Sequence, residues 1–92
     1  MAIGRAARRA ERAAAVEAAF GPELAPAALD LLELVEYAWH DCYQEITPHE
    51  GVVADILACA GGDLARMVRF AHLAVTDSRD LRVAADKIKG RS

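Results

Sequence analysis

The chain has 92 residues and a formal net charge of −3, and 54% of its residues are hydrophobic. This length predicts one domain, residues 1–92, and the acidic balance weighs against a uniformly basic nucleic-acid binder. The two cysteines are too few to build a disulfide framework.

Basic and acidic residues are segregated along the chain. Lysine and arginine are missing between Ala13 and Ala65, whereas residues 21–50 contain seven acidic side chains. Four arginines lie within residues 1–20, and residues 51–92 contain seven basic and five acidic residues. The pattern predicts that segments of one chain, or two copies of the chain, attract one another.

The first predicted helix covers residues 5–20 and ends at Gly21-Pro22. One face carries four arginines at i, i+3, i+4 and i+7 spacing: Arg5, Arg8, Arg9 and Arg12. The opposite face offers small side chains, among them Ala7, Ala14 and Ala18. Because an isolated helix of this length is marginal, we expect residues 1–20 to dock on the rest of the protein or to exchange with a second copy.

The second predicted helix covers residues 27–46, with Pro26 at its start. At about 100° per residue, its inward sector contains Leu31, Leu32, Val35, Ala38, Trp39, Cys42, Tyr43 and Ile46. The other sector contains Asp30, Glu33, Glu36, Tyr37, His40, Asp41, Gln44 and Glu45. Leu29 and Leu34 lie at or inside this polar sector, which hints at further contacts there.

A third helix is predicted over 48–60, because Thr47 and Glu50 have the spacing of a capping box. Gly61-Gly62 ends this helix, and Asp63 caps a fourth over 64–75. A fifth over 79–89 is capped by Asp77 or Ser78, unless the last two helices form one kinked helix. The inward residues of these three helices are Val53, Ile56, Leu57, Ala60, Leu64, Met67, Val68, Ala71, Val75, Leu81, Ala84, Ala85 and Ile88. The whole pattern predicts an all-α, compact bundle of four to five short helices.

One group of side chains has the spacing of a metal site. Glu36 and His40 are four residues apart on one helix face, and Glu33 lies beside them, so imidazole and carboxylate groups project in parallel. The alternative is an exposed polar face whose i, i+4 pair is worth about 0.2–0.5 kcal/mol.

A second alternative is DNA binding. Helices 48–60 and 64–75 resemble a helix-turn-helix pair in their order, and the second would present Arg66, Arg69 and His72 to the major groove. The negative net charge opposes this, because DNA binding rests on several phosphate contacts made by lysine or arginine. Solvated basic helix faces explain the same residues.

The leading hypothesis is a small protein–protein interaction or regulatory module that self-associates, a homodimer being the commonest closed assembly. Its acidic second helix would face a basic surface of its own terminal helices or of another protein, through Leu29, Glu33, Leu34, Glu36, Tyr37, His40 and Asp41. No nucleophile elbow or phosphate-binding loop is recognisable, so we expect neither catalysis nor a cofactor. We also expect no membrane span, no secretory signal and a location in a bacterial cytoplasm.

Overall fold

The computed structural model describes residues 4–90, apart from the side chain of Arg5. Five helices make up this part of the chain: α1 (Arg5–Phe20), α2 (Ala25–Tyr43), α3 (Glu50–Ala60), α4 (Leu64–Thr76) and α5 (Ser78–Ile88). The same residues contain no β-strand. The prediction of an all-α bundle is therefore confirmed. None of the helices described is long and apolar enough to cross a bilayer.

The central contact of the bundle is between α2 and α4. On its far side α2 contacts α1, whereas α4 contacts both α3 and α5, which also pack against each other. The resulting body measures 34 × 32 × 23 Å. The N-terminal helix therefore packs on the acidic α2, and the C-terminal helix packs on α3 and α4.

Every helix contributes a large side chain to the core. Among those exposed by no more than 2% are Val16, Leu32, Ile56, Met67 and Leu81, one from each helix in order. Fully burying an aliphatic side chain of this size stabilises a fold by about 1.5–3 kcal/mol. Trp39 is also buried, with 4% of its surface exposed, as the helical periodicity predicts.

The C-terminal end of α2 differs from the prediction. The helix ends at Tyr43 because Gln44 adopts a left-handed conformation with φ of 59°. Ile46, predicted to point inward, therefore lies beyond the helix and is 75% exposed. Cys42 and Tyr43 were also predicted inward and are exposed instead, Tyr43 by 37%.

Two further inward predictions are wrong. Val68 on α4 is 53% exposed, because it lies at the edge of the α2–α4 contact rather than beneath it. Ile88 is 50% exposed, since it is the last residue of α5 and has left the core side. Periodicity identifies an apolar sector, but it does not fix how far a neighbouring helix covers that sector.

The helix caps are predicted in part. Asp63 accepts a hydrogen bond from the Arg66 backbone N–H at 3.1 Å, and Asp77 accepts from the N–H groups of Arg79 and Asp80. The extended backbone of Asp77 separates α4 from α5, so they are two helices. The capping box of Thr47 and Glu50 is wrong: α3 begins at Glu50 after His49, which makes no side-chain cap.

The turn between α3 and α4 supports the end of α1. Gly62 has φ of +80°, and a Cβ added there would lie 2.7 Å from the backbone oxygen of Ala19. Gly61 also has a positive φ, but its Cβ position is open. Both glycines satisfy the left-handed backbone, whereas only Gly62 is required for the close approach of α1.

Candidate functional site

The arginine face of α1 packs against the acidic face of α2. Arg12 donates from Nη1 to Glu36 Oε2 at 3.0 Å, and Arg8 donates from Nη2 to Glu36 Oε1 at 3.1 Å. Arg12 and Glu36 are only 6% and 4% exposed. The attraction suggested by the segregated charges is therefore satisfied within one chain at this position.

Thr47 and Glu50 extend this network to α3. Thr47 donates from its hydroxyl to Glu36 Oε2 at 2.8 Å. Arg12 uses its second terminal nitrogen to bond both Thr47 Oγ1 and Glu50 Oε1, at 3.1 Å each. The two residues predicted to cap α3 instead bind the guanidinium of α1, which explains why the capping box does not form.

Glu36 and Leu29 were predicted on an exposed, partner-facing surface, and that placement is wrong. Leu29 belongs to the hydrophobic core and is 8% exposed. Burial alone would raise the pKa of Glu36, but hydrogen bonds from Arg8 and Thr47, with the charges of Arg8 and Arg12, outweigh burial and lower that pKa. Glu36 is therefore a buried, ionised anchor for α1.

The outer row of the same contact is solvent-exposed. Arg9 donates to Asp30 at 2.7 Å and lies 3.2 Å from Glu33. Glu33, another predicted interaction residue, is thus also occupied by α1. Exposed pairs of this kind contribute little to stability, because water and salt screen them.

The remaining predicted residues stay on the surface. An open cavity of about 440 Å³ brings together Tyr37, His40 and Asp41 with Arg8 and Ile46. Its neighbour Glu36 is already engaged by two guanidinium groups. Residues 4–90 contain no group of three or more His, Cys, Asp or Glu side chains placed to hold a metal ion.

Leu34 belongs to a different surface, an apolar groove between α2 and α4, hereafter the α2–α4 groove. Its volume is about 150 Å³. The residues that line it include Leu31, Leu34, Ala38, Val68, His72 and Val75. Leu34 is 61% exposed and Val68 is 53% exposed. Two large aliphatic side chains therefore remain in contact with water on helices that are otherwise well packed.

The three predicted DNA contacts on α4 have different environments. Arg66 donates from Nε and Nη2 to the backbone oxygen of Cys59, at 3.1 and 2.9 Å, and its guanidinium lies 5.8 Å from the ring centre of Phe70. It therefore caps the C-terminal end of α3. Arg69 and His72 are exposed.

A second buried acid, Asp55, was not predicted from the sequence. Asp55 on α3 has a side chain only 5% exposed, and Lys89 Nζ lies 3.0 Å from its Oδ1. Arg82 approaches the other oxygen at 3.6 Å. At about 100° per residue, Asp55 lies beside Cys59 at the edge of the apolar sector of α3, and an acid in that position is the signal that could have identified it.

The loop after α2 holds another unpredicted contact. The indole N–H of Trp39 donates to Glu45 Oε1 at 2.9 Å, and the Trp39 ring lies 4.3 Å from that of Tyr43.

Comparisons with protein-family models, with curated proteins and with solved structures find no match for this chain. Function therefore has to be inferred from the surfaces of α2 and α4.

Proposed function

We propose that this protein is a small helical interaction module, without catalysis of its own, that self-associates through the α2–α4 groove. The observation that carries the proposal is the exposure of Leu34 and Val68, which line one groove on two central helices. Covering these side chains with another protein surface would remove apolar area from water, which is favourable. A bacterial cytoplasmic location remains a prediction from composition.

Because α1 covers the acidic face of α2, the proposed interaction has to use another surface of that helix. Leu29, Glu33 and Glu36 hold α1, so they do not form the proposed docking surface. Leu34 remains exposed at the α2–α4 groove, whereas Tyr37 and Asp41 are exposed at the cavity that Arg8 of α1 also lines. The exchange of α1 between copies also stays a proposal, because an exchanged α1 would make the same contacts with the second copy.

Light scattering after size exclusion tests the proposal. The wild-type chain of 9.9 kDa is expected to elute with the mass of a dimer at both low and high salt, because apolar contacts are not screened. Leu34→Asp and Val68→Asp are expected to give monomers. Val83→Asp is the matched control, since Val83 is 54% exposed on α5. A monomeric wild type, or a control variant that also dissociates, contradicts the proposal.

A DNA-binding regulator is the second proposal, favoured by the exposure of Arg69 and His72 on the same helix. Because Arg66 is bound to the Cys59 carbonyl, the variant to test is Arg69→Ala, in a duplex-DNA mobility shift at low salt. A shift that vanishes as salt rises and weakens in the variant supports this function. Absence of any shift removes it.

A metal site at Glu33, Glu36 and His40 is the third proposal. It requires Glu36 to leave Arg8 and Arg12, and Glu33 to leave Arg9. Metal analysis of protein purified without a histidine tag tests it. Less than one equivalent of bound transition metal contradicts it.

A further inference from the structure

A single extended residue joins α5 to the rest of the bundle. Asp77 lies between the end of α4 and Ser78, with φ of −157° and ψ of 91°. Its carboxylate caps α5 by accepting hydrogen bonds from the backbone N–H groups of Arg79 and Asp80. Hinges are a few residues at the ends of elements that absorb a change of backbone angles. Rotation about the backbone bonds of Asp77 would therefore move α5 as a unit.

The apolar contact between α5 and the bundle is small. Within Ser78–Ile88 the buried residues are Leu81 and Ala85. Val83 and Ile88 are 54% and 50% exposed. Segments with few buried apolar contacts open at a lower free energy than the whole protein unfolds. This is the packing expected of a helix that opens while the other four stay folded.

A buried acid on α3 holds the far end of α5. Lys89, directly after the helix, places its Nζ 3.0 Å from Oδ1 of Asp55, whose side chain is 5% exposed. Arg82 approaches the other carboxylate oxygen at 3.6 Å and is 56% exposed. Removing one partner of a buried charge is costly, because the remaining charge is then uncompensated. Lys89 makes the shorter and less exposed of these two contacts with Asp55.

Cys59 lies on the face of α3 that α5 covers. It follows Asp55 by four residues, so the two side chains are neighbours on one side of the helix. Asp55 is bonded by Lys89, and Cys59 has no exposed surface. Movement of α5 away from this face would bring the Cys59 thiol into contact with water.

We infer that α5 is a lid, hinged at Asp77 and latched by Lys89 on Asp55, whose opening exposes Cys59 while the other helices stay folded. The lid does not depend on the self-association proposed above, because the α2–α4 groove is lined by residues of α2 and α4. Access to one buried thiol is thereby controlled by one ion pair at the end of the last helix.

Reaction of Cys59 with a thiol reagent measures this local unfolding. All proteins compared carry Cys42→Ser, which removes the exposed thiol. Without further substitutions, the rate at low urea is expected to vary little with urea concentration, because local opening exposes little surface. A rate that follows global unfolding at every urea concentration overturns the lid.

Native-state hydrogen exchange measures the same opening without any substitution. The protection of the α5 amides is expected to be at least about tenfold lower than that of the α2 amides, since α5 opens separately. Equal protection of the two helices also overturns the lid.

Charge removal tests the latch. Lys89→Gln is expected to raise the rate of Cys59 modification at least about tenfold, because Asp55 then loses its closest charge partner. Lys87→Gln, which removes an exposed lysine from the last turn of α5, should change the rate less than about twofold. Adding Asp55→Asn to Lys89→Gln removes the stranded carboxylate and should slow the reaction again.

The direct effects of these substitutions on the thiol have the opposite direction. Burial and the Asp55 carboxylate raise the pKa of the Cys59 thiol, whereas Arg66 and Lys89 lower it in part. Because the thiolate is the reactive form, losing Lys89 alone would slow the reaction and losing Asp55 would speed it. Equal rates for Lys89→Gln and Lys87→Gln overturn the latch. A Lys89→Gln rate that Asp55→Asn leaves unchanged or raises overturns it as well.

Discussion

Arg12 and Glu36 form an ion pair of 3.0 Å in which both side chains are more than nine-tenths buried. The pair joins α1 to α2, and Arg12 reaches on to Thr47 and Glu50. A buried pair of this kind need not stabilise more than apolar packing would, but breaking it leaves a charge without compensation. The orientation of α1 therefore depends on a polar contact.

Removing one partner of this pair should cost more than half of the stability that is lost when both partners are removed. We expect Arg12→Ala and Glu36→Ala each to lower the free energy of unfolding by about 3–5 kcal/mol. The double variant should lose clearly less than the sum, since neither charge is then stranded. Urea denaturation followed by circular dichroism measures these values. Arg9→Ala, at the exposed end of the same contact, should have a much smaller effect, and equal effects at both sites would refute the role of burial.

The same carboxylate makes stability depend on pH. The pKa of Glu36 is lowered in the folded protein, so the unfolded chain takes up the proton first as the pH falls. Its stabilising effect is complete above the unfolded-state pKa of about 4.3 and is lost as the pH falls through the lower, folded-state value. Glu36→Gln should flatten the dependence of unfolding free energy on pH below about 5.

Glu23→Gln provides the comparison for that experiment, because Glu23 is exposed in the turn before α2. The control variant should follow the wild-type curve. If Glu36→Gln shows the same acid sensitivity as wild type, the titration that destabilises the fold lies at another group.

Gly62 and Gly61 allow a matched test of how α1 meets the α3–α4 turn. Both have positive φ, so alanine at either position should cost about 1–2 kcal/mol in the left-handed region. Gly62→Ala also forces a Cβ against the Ala19 backbone oxygen and should be the more destabilising variant. Thermal unfolding of the two variants measures the difference. Equal losses would mean that α1 does not approach this turn closely.

The two cysteines should react at very different rates. Cys42 is exposed, whereas Cys59 is fully buried, and burial together with the nearby Asp55 carboxylate raises the pKa of the Cys59 thiol. Since the thiolate is the reactive form, a thiol reagent should modify one equivalent quickly in the native protein and the second only on unfolding. Cys42→Ser should remove the fast phase, and a fast phase that survives would place Cys59 at the surface.

The helices of this fold were predictable because their signals, which are capping residues, glycines and periodicity, lie within or next to each helix. Gly21, Gly61 and Asp63 end or begin helices where the sequence places them, and Trp39 is buried where periodicity puts it. Helix ends that depend on distant partners were missed. Thr47 has the spacing of a cap, but its hydroxyl faces Glu36 and an arginine 35 residues earlier in the chain.

The surface was predicted less well for a related reason. Periodicity shows that Glu36 and Leu34 lie on the polar side of α2, but not that α1 covers Glu36 and leaves Leu34 open. That choice depends on the direction in which the chain leaves Gly21. The segregated charges pointed to the attraction between segments, but could not distinguish contacts within one chain from contacts between two.

The uninterrupted stretch without lysine or arginine allows the detachment of α1 to be measured with trypsin. Trypsin, which cuts after those residues, finds no site from Ala13 to Ala65. The nearest upstream sites, Arg9 and Arg12, contact Asp30 and Glu36 of α2. Cleavage there requires the first helix to detach, so digestion of the native protein directly measures how often it does.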